Sequence, residues 1–249
     1  MDQRLARFKE TLELRRWPIK VGFLDAVPGN IPRWADGPVA AGCAFWDRAM
    51  EGKTFYTLPG DHWNCAIGSH THKIGLPAER AGELDATIAF MVETHYLDIA
   101  EVPGIPTLDR APAAVAYGPV SSELFPADVV VLAATPAQTT IVYETALRAG
   151  IAAAAAPGFS RPSCAALPLA ARTQLMAMSF GCRGNRTYTS VRDDEMYLAL
   201  PASKWSDFLD RAIEVQRSNL TMANYYQAQR AKISGTSTTS RTSTTSRKA

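Results

Sequence analysis

Four cysteines lie in four separate small-residue settings. They read Ala41-Gly42-Cys43-Ala44, Asn64-Cys65-Ala66-Ile67-Gly68, Pro162-Ser163-Cys164-Ala165 and Phe180-Gly181-Cys182-Arg183-Gly184. Four thiols equal the ligand count of one iron–sulfur cluster or one tetrahedral zinc ion. No two are close in sequence, so none of the short ligand spacings is present, and convergence has to come from the fold. Gly42, Gly68, Gly181 and Gly184 permit close backbone approach to a sulfur or sulfide. The stretch Gly181-Cys182-Arg183-Gly184-Asn185-Arg186 reads as an anion-friendly loop around one thiol, with Arg183 and Arg186 as candidates to hold an anionic substrate group. The competing reading is plain: free cysteine often fills a core as a small apolar residue.

Histidine supplies a second set. His62, Cys65, His70 and His72 fall within eleven residues. If Ser69-His70-Thr71-His72 is extended, the two imidazoles share one face and can chelate a metal or ligate haem. If it is a polar surface loop, they do neither. A third chemistry sits at Thr135-Pro136-Ala137-Gln138, a helix start after an apolar strand and hence an anion site in principle. No G-x-G-x-x-G, Walker, G-x-S-x-G or H-E-x-x-H pattern accompanies it. Asp193-Asp194-Glu195 is most simply a solvated turn.

The elements that must position these groups alternate between helix and strand. Leu5, Phe8 and Leu12 give residues 2–16 an amphipathic helical stripe that Pro18 ends. Residues 19–24 alternate as a strand. Residues 39–50 form a short helix with Gly52 in the C-cap place. Residues 53–58 follow as a strand and residues 78–93 as a helix, with Leu84, Ile88 and Met91 on one face. Residues 114–117 and 129–133 are buried strands. The second enters a helix through a capping box, Thr135 with Gln138 and Pro136 at the first position, and Gly150 stops it. Residues 196–200 form a last strand, and Trp205, Phe208, Leu209, Ala212 and Ile213 mark a final helix. This alternation predicts an α/β or α+β fold: a mixed sheet with helices packed on it, as one large domain or two tightly packed lobes over residues 1–233. Residues 234–249 repeat Ser, Thr and Arg and are expected to form a disordered tail.

Composition narrows the function classes. The net charge is only +2 over 249 residues, and Arg241, Arg247 and Lys248 of the tail carry more than that. No basic face remains for a nucleic-acid backbone. The N-terminus lacks an apolar signal core, and no apolar run nears the roughly 20 residues of a membrane span. A cytoplasmic location is therefore expected, where four cysteines read as thiols or metal ligands rather than disulfides.

Several ordered motifs together resemble a known family. They are Pro18-Ile19-Lys20-Val21, Cys43 with Trp46, Ala49 and Gly52, Cys65-Ala66-Ile67-Gly68, and Pro126-Ala127-Asp128-Val129-Val130. Thr135-Pro136-Ala137-Gln138, Ser163-Cys164-Ala165, Gly181 to Arg186, and Asp194-Glu195-Met196 before Pro201 complete the series. Over about residues 5–217 this pattern resembles the domain-of-unknown-function 169 family. The resemblance implies that all four cysteines fall where the family carries cysteine, and so a shared metal or cluster site.

The expectation is a metal-dependent oxidoreductase or lyase holding an iron–sulfur cluster through Cys43, Cys65, Cys164 and Cys182. It would act on a small anionic molecule, with an electron-transfer partner and neither nucleic acid nor membrane. Two alternatives stay open. One is a haem or mononuclear-metal enzyme, zinc included, using His70, His72 or a cysteine. The other is a non-enzymatic protein that binds a small acidic ligand at the Thr135 helix start.

Overall fold

A computed structural model describes residues 3–152, 158–159 and 161–236. Helix α1 (Gln3–Thr11) leads into strand β1 (Ile19–Leu24), then α2 (Ala44–Met50) and β2 (Phe55–Thr57). Two further helices, α3 (Ala66–Thr71) and α4 (Glu83–Glu93), precede β3 (Ala114–Pro119) and β4 (Val129–Ala134). After α5 (Pro136–Arg148) come β5 (Gly158–Phe159), α6 (Ala166–Thr173) and β6 (Ala177–Ser179). The chain closes with α7 (Arg183–Tyr188), β7 (Met196–Pro201) and α8 (Trp205–Thr236).

The strands form one mixed sheet in the order β2-β3-β1-β4-β7-β6-β5. Its six-strand body is antiparallel, and among the described strands the short β5–β6 pair is parallel. Strand β4 lies at the centre, with Val131 opposite Ile19 on one side and Ala199 on the other. All six of its residues are buried, because both faces of the sheet are covered. Successive side chains point to opposite faces, and the core divides accordingly. Val129, Val131, Ala133, Tyr197 and Ala199 join α2 and α6 on one face. Leu132, Ala134, Leu198 and Leu200 join α1, α5 and α8 on the other. There Phe8 packs edge-on against Phe208 at 5.5 Å, each ring fully buried and contributing about 1.5–3 kcal/mol. The fold is α+β in three layers, and the cysteines lie on the α2/α6 side.

The capping box is present as read: Gln138 N–H donates to Thr135 Oγ1, and Gln138 Oε1 accepts the Thr135 N–H. The Gln138 amide also donates to the Leu12 and Glu13 carbonyls, so one side chain caps α5 and anchors the end of α1. Helix α1 stops five residues before the expected boundary. Glu13 takes φ +53°, and the Leu14 N–H bonds the Lys9 carbonyl, a Schellman closure built without glycine. Helix α2 begins five residues later than expected, and Gly52, at φ +99°, ends it as read. Helix α8 continues to Thr236, three residues into the segment read as a tail; residues 237–249 lie outside the described residues. Among the described residues, no helix is long and apolar enough to cross a membrane.

Candidate functional site

The four cysteines, 139 positions apart at their extremes, line one cavity of about 630 Å³. Each arrives on a different element. Cys43 sits at the N-cap of α2, and Cys65 at the N-cap of α3. Cys164 lies in the tight turn Ser163–Ala165 before α6, and Cys182 at the N-cap of α7. Two of the helix starts share one design. The Cys65 sulfur accepts the Gly68 N–H at 3.3 Å, and the Cys182 sulfur accepts the Asn185 N–H at 3.4 Å. Each thiol thus takes the place usually held by a capping oxygen. The Ser163 hydroxyl accepts the Cys182 N–H at 2.6 Å, fastening the Cys164 turn to the Cys182 turn. Cys164 Sγ in turn meets Thr71 Oγ1 of α3 at 3.6 Å.

Burial governs the thiols. It pushes Cys43 up to about 12 and Cys164 well above the ordinary thiol range. Cys65 is also raised by burial, with the Gly68 amide opposing the shift. Each neighbouring sulfur adds to the effect. Cys43 feels Cys182 and Cys65, and Cys164 feels the other three. Such mutual repulsion is what a set of thiolates meets when no cation lies between them. Among the described residues, no group of three or more His, Cys, Asp or Glu side chains is arranged to hold a metal ion.

The His70–His72 stretch is neither a strand nor a surface loop. Residues 66–71 form α3, which turns His72 inward while His70 stays half-buried, and both still line the cavity. His72 is 2% exposed, and neither ring nitrogen has a hydrogen-bond partner. Its ring approaches the Cys164 backbone, a contact that favours the protonated ring and opposes the effect of burial. Burial holds it down to about 4, so it is neutral near pH 7. His62, whose ring centroid is 6.4 Å from that of His72, is held down to about 3 by burial and then by His72. Thr57 Oγ1 donates to the Val115 carbonyl, so its contact with His62 Nε2 at 2.8 Å requires the hydrogen on that nitrogen. The bare Nδ1 then faces Gly42, where a Cβ would stand 2.7 Å away. Gly42 is a glycine because this ring fills the space of its side chain.

The arginine pair divides. Residues 183–188 form α7 rather than a loop. The Arg186 guanidinium donates to the Phe180, Arg192 and Glu195 carbonyls, which makes it a brace of the backbone and not a ligand-holding group. Arg183 lines the cavity and is exposed, and its guanidinium has no partner among the described residues. The Thr135 helix start is occupied by its own cap and does not line the cavity. Asp193 and Asp194 are solvated, as read. Glu195 is 6% exposed, accepts the Arg192 N–H and pairs with Arg15 and Arg16.

Three contributors have roles that no motif announces. Asn185 is 1% exposed, and neither atom of its amide has a partner, although Cys43 and Tyr197 lie beside it. Helix α4 walls the cavity with Ile88 and Met91 and has no fully buried residue. Asp47 of α2 accepts from Arg16 at 2.6 Å and from the Ser190 N–H at 2.5 Å, tying the Cys43 helix to the segment after α7. The carboxyl-then-amide spacing of such a tie leaves no sequence signature.

No curated protein and no solved structure matches the chain. A family model does match, over residues 7–211: domain-of-unknown-function 169 (DUF169), an uncharacterised ArCR. The match runs from α1 into α8 and includes all four cysteines, and the chain belongs to that family.

Proposed function

We propose that this protein holds an iron–sulfur cluster through Cys43, Cys65, Cys164 and Cys182 and carries out redox or lyase chemistry on a small anionic molecule. The observation that supports this reading is the arrival of four thiols from four distant segments at one cavity. The donor chemistry fits: soft thiolates are the usual holders of such clusters. Amides directed at the Cys65 and Cys182 sulfurs suit thiolates better than thiols.

When bound through all four cysteines, a cluster would supply a one-electron couple. The chain's own residues do the rest. Arg183 offers an unpaired guanidinium at the cavity mouth for an anionic group. Ile88 and Met91 of α4 exclude water from one wall. The Ser163–Cys182 bond and the Asp47 network keep three of the four sulfur-bearing turns in fixed relation. Electron delivery would require a partner protein.

The deciding experiment is anaerobic overproduction with ample iron, followed by an optical spectrum and iron and acid-labile sulfide analysis. The expected product is brown and carries both elements, and Cys182→Ser lowers both severalfold. A colourless, iron-free protein that takes up no cluster on reconstitution with ferrous iron and sulfide overturns the reading.

A further inference from the structure

The cavity is larger and more apolar than four thiols require. At about 630 Å³ it lies within the range of small-molecule sites, roughly 300–1,000 Å³. Ile88, Met91 and Leu97 supply an apolar wall. Two buried polar side chains border the space without a well-formed hydrogen bond among the described residues, although the Cys164 backbone lies near His72 and Cys43 and Tyr197 lie near Asn185. Both nitrogens of His72 and both amide atoms of Asn185 are unpartnered, although these residues are only 2% and 1% exposed. Buried polar atoms are as a rule hydrogen-bonded, so four such atoms beside one cavity point to a bound group that would complete their bonding. The cations at the rim are not equivalent. Arg161 is held by Glu101 at 2.8 Å and lies over the Tyr96 ring, whereas Arg183 has no anionic partner among the described residues. Glu83, the acid of the lining, is engaged by Arg80.

We propose that this cavity binds a small amphipathic carboxylate, with its carboxylate on Arg183, its apolar body along Ile88 and Met91, and a second hydrogen-bonding group against His72 and Asn185. One free guanidinium suits a single carboxylate, which it meets in bidentate fashion, better than a polyphosphate. Paired donor and acceptor atoms inside suit a hydroxyl or amide, which both gives and takes a hydrogen bond. The inference rests on the anion role given to Arg183 and not on the presence of iron.

The test is calorimetric titration of the protein as purified without oxygen, iron and sulfide being measured on the same sample. The probes are hexanoate, octanoate and decanoate, their ω-hydroxy counterparts, and 1-octanol. Saturable binding of one carboxylate per chain is expected, with the ω-hydroxy acid of the right length binding severalfold tighter than its parent. Arg183→Gln should weaken carboxylate binding about tenfold and leave octanol unchanged, which corresponds to the loss of one charge-assisted contact. Ile88→Trp, which fills the space from an unburied helix, should abolish binding of every probe. His72→Phe should erase the ω-hydroxy preference, and Asn185→Leu gives the same reading if His72→Phe does not fold. Absence of saturable binding, or binding indifferent to both Arg183→Gln and Ile88→Trp, overturns the inference. Iron without probe binding overturns this inference alone. Probe binding to protein that cannot be loaded with iron sustains it and overturns the cluster.

Discussion

Two imidazoles buried without charge make the metal-free protein acid-sensitive in a defined window. His62 and His72 have an ordinary value of 6.5, and burial takes them down to about 3 and about 4. Above pH 6.5 both are neutral in the folded and the unfolded chain, and stability is complete. As the pH falls from 6.5 toward 4, the unfolded chain takes up protons that the folded protein refuses, so stability drops. Each group contributes about 1.4 kcal/mol per pH unit, or nearly 3 kcal/mol per unit for the pair. Against a domain stability of about 5–15 kcal/mol, two units of acid remove a large share of the total. The assay is urea unfolding of iron-free protein at a series of pH values from about 7 down to about 5. His72→Phe should be more stable than the parent at neutral pH by about 1–3 kcal/mol, because it deletes unsatisfied atoms and keeps the ring. It should also show about half the acid slope. Parallel slopes for parent and variant, or a His72 ring that titrates by NMR near 6.5, refute the assignment of a neutral, unpartnered imidazole.

Other outcomes follow from the same contacts. Asp47→Ala removes the 2.6 Å partner of the Arg16 guanidinium, 11% exposed, and leaves it Glu195 at 3.8 Å; urea unfolding should show a loss of about 1–3 kcal/mol, and no loss would mean that the pair is not buried in solution. Thr135→Ala removes one half of the capping box and should cost about 1 kcal/mol by the same measurement. Native metal-free protein treated with iodoacetamide near pH 8 should keep Cys43 and Cys164 unmodified until urea is added, since both are buried and their thiols are pushed up; early alkylation of either, located by mass spectrometry, contradicts the burial.

How far the sequence could be read depended on the length of each element. Strands β1, β3, β4 and β7 and helix α5 announce themselves through apolar alternation, continuous apolar runs and a capping box, all signals carried by four residues or more in elements of at least six. Helices α3 and α7 have six residues each, and contain glycine with histidine or asparagine instead of strong helix formers. No hydrophobic period fits into so short a stretch, and their caps are sulfurs rather than the usual oxygens, so Ser69-His70-Thr71-His72 reads as polar surface. The Glu13 turn failed for the converse reason: a left-handed residue that is not glycine carries no mark in the sequence. The four cysteines themselves were legible as a set. Their convergence was not, because it depends on β4 and β7 bringing α2, α6 and α7 to one face of the sheet.

The unsatisfied buried atoms are not scattered over the fold. Trp46, His72, Tyr117, Arg161 and Asn185 all belong to the cavity lining or to the core cluster that holds Cys43 and Cys164, whereas the other described examples are single atoms of Thr139 and Gln216. Tyr117 is raised well above the ordinary phenol range by burial, and then by Cys43 and Cys164, which places its hydroxyl within the field of the thiols. On the opposite face of the sheet, α1, α5 and α8 make an ordinary apolar layer with satisfied caps. Both faces bury an apolar cluster, and the polar deficit is gathered on one of them. A deficit gathered at one cavity is one that a bound group can cancel, and anything that binds the folded chain alone raises its stability with concentration. Whatever occupies this cavity should therefore be detectable first as a stabiliser and only afterwards as a substrate or cofactor.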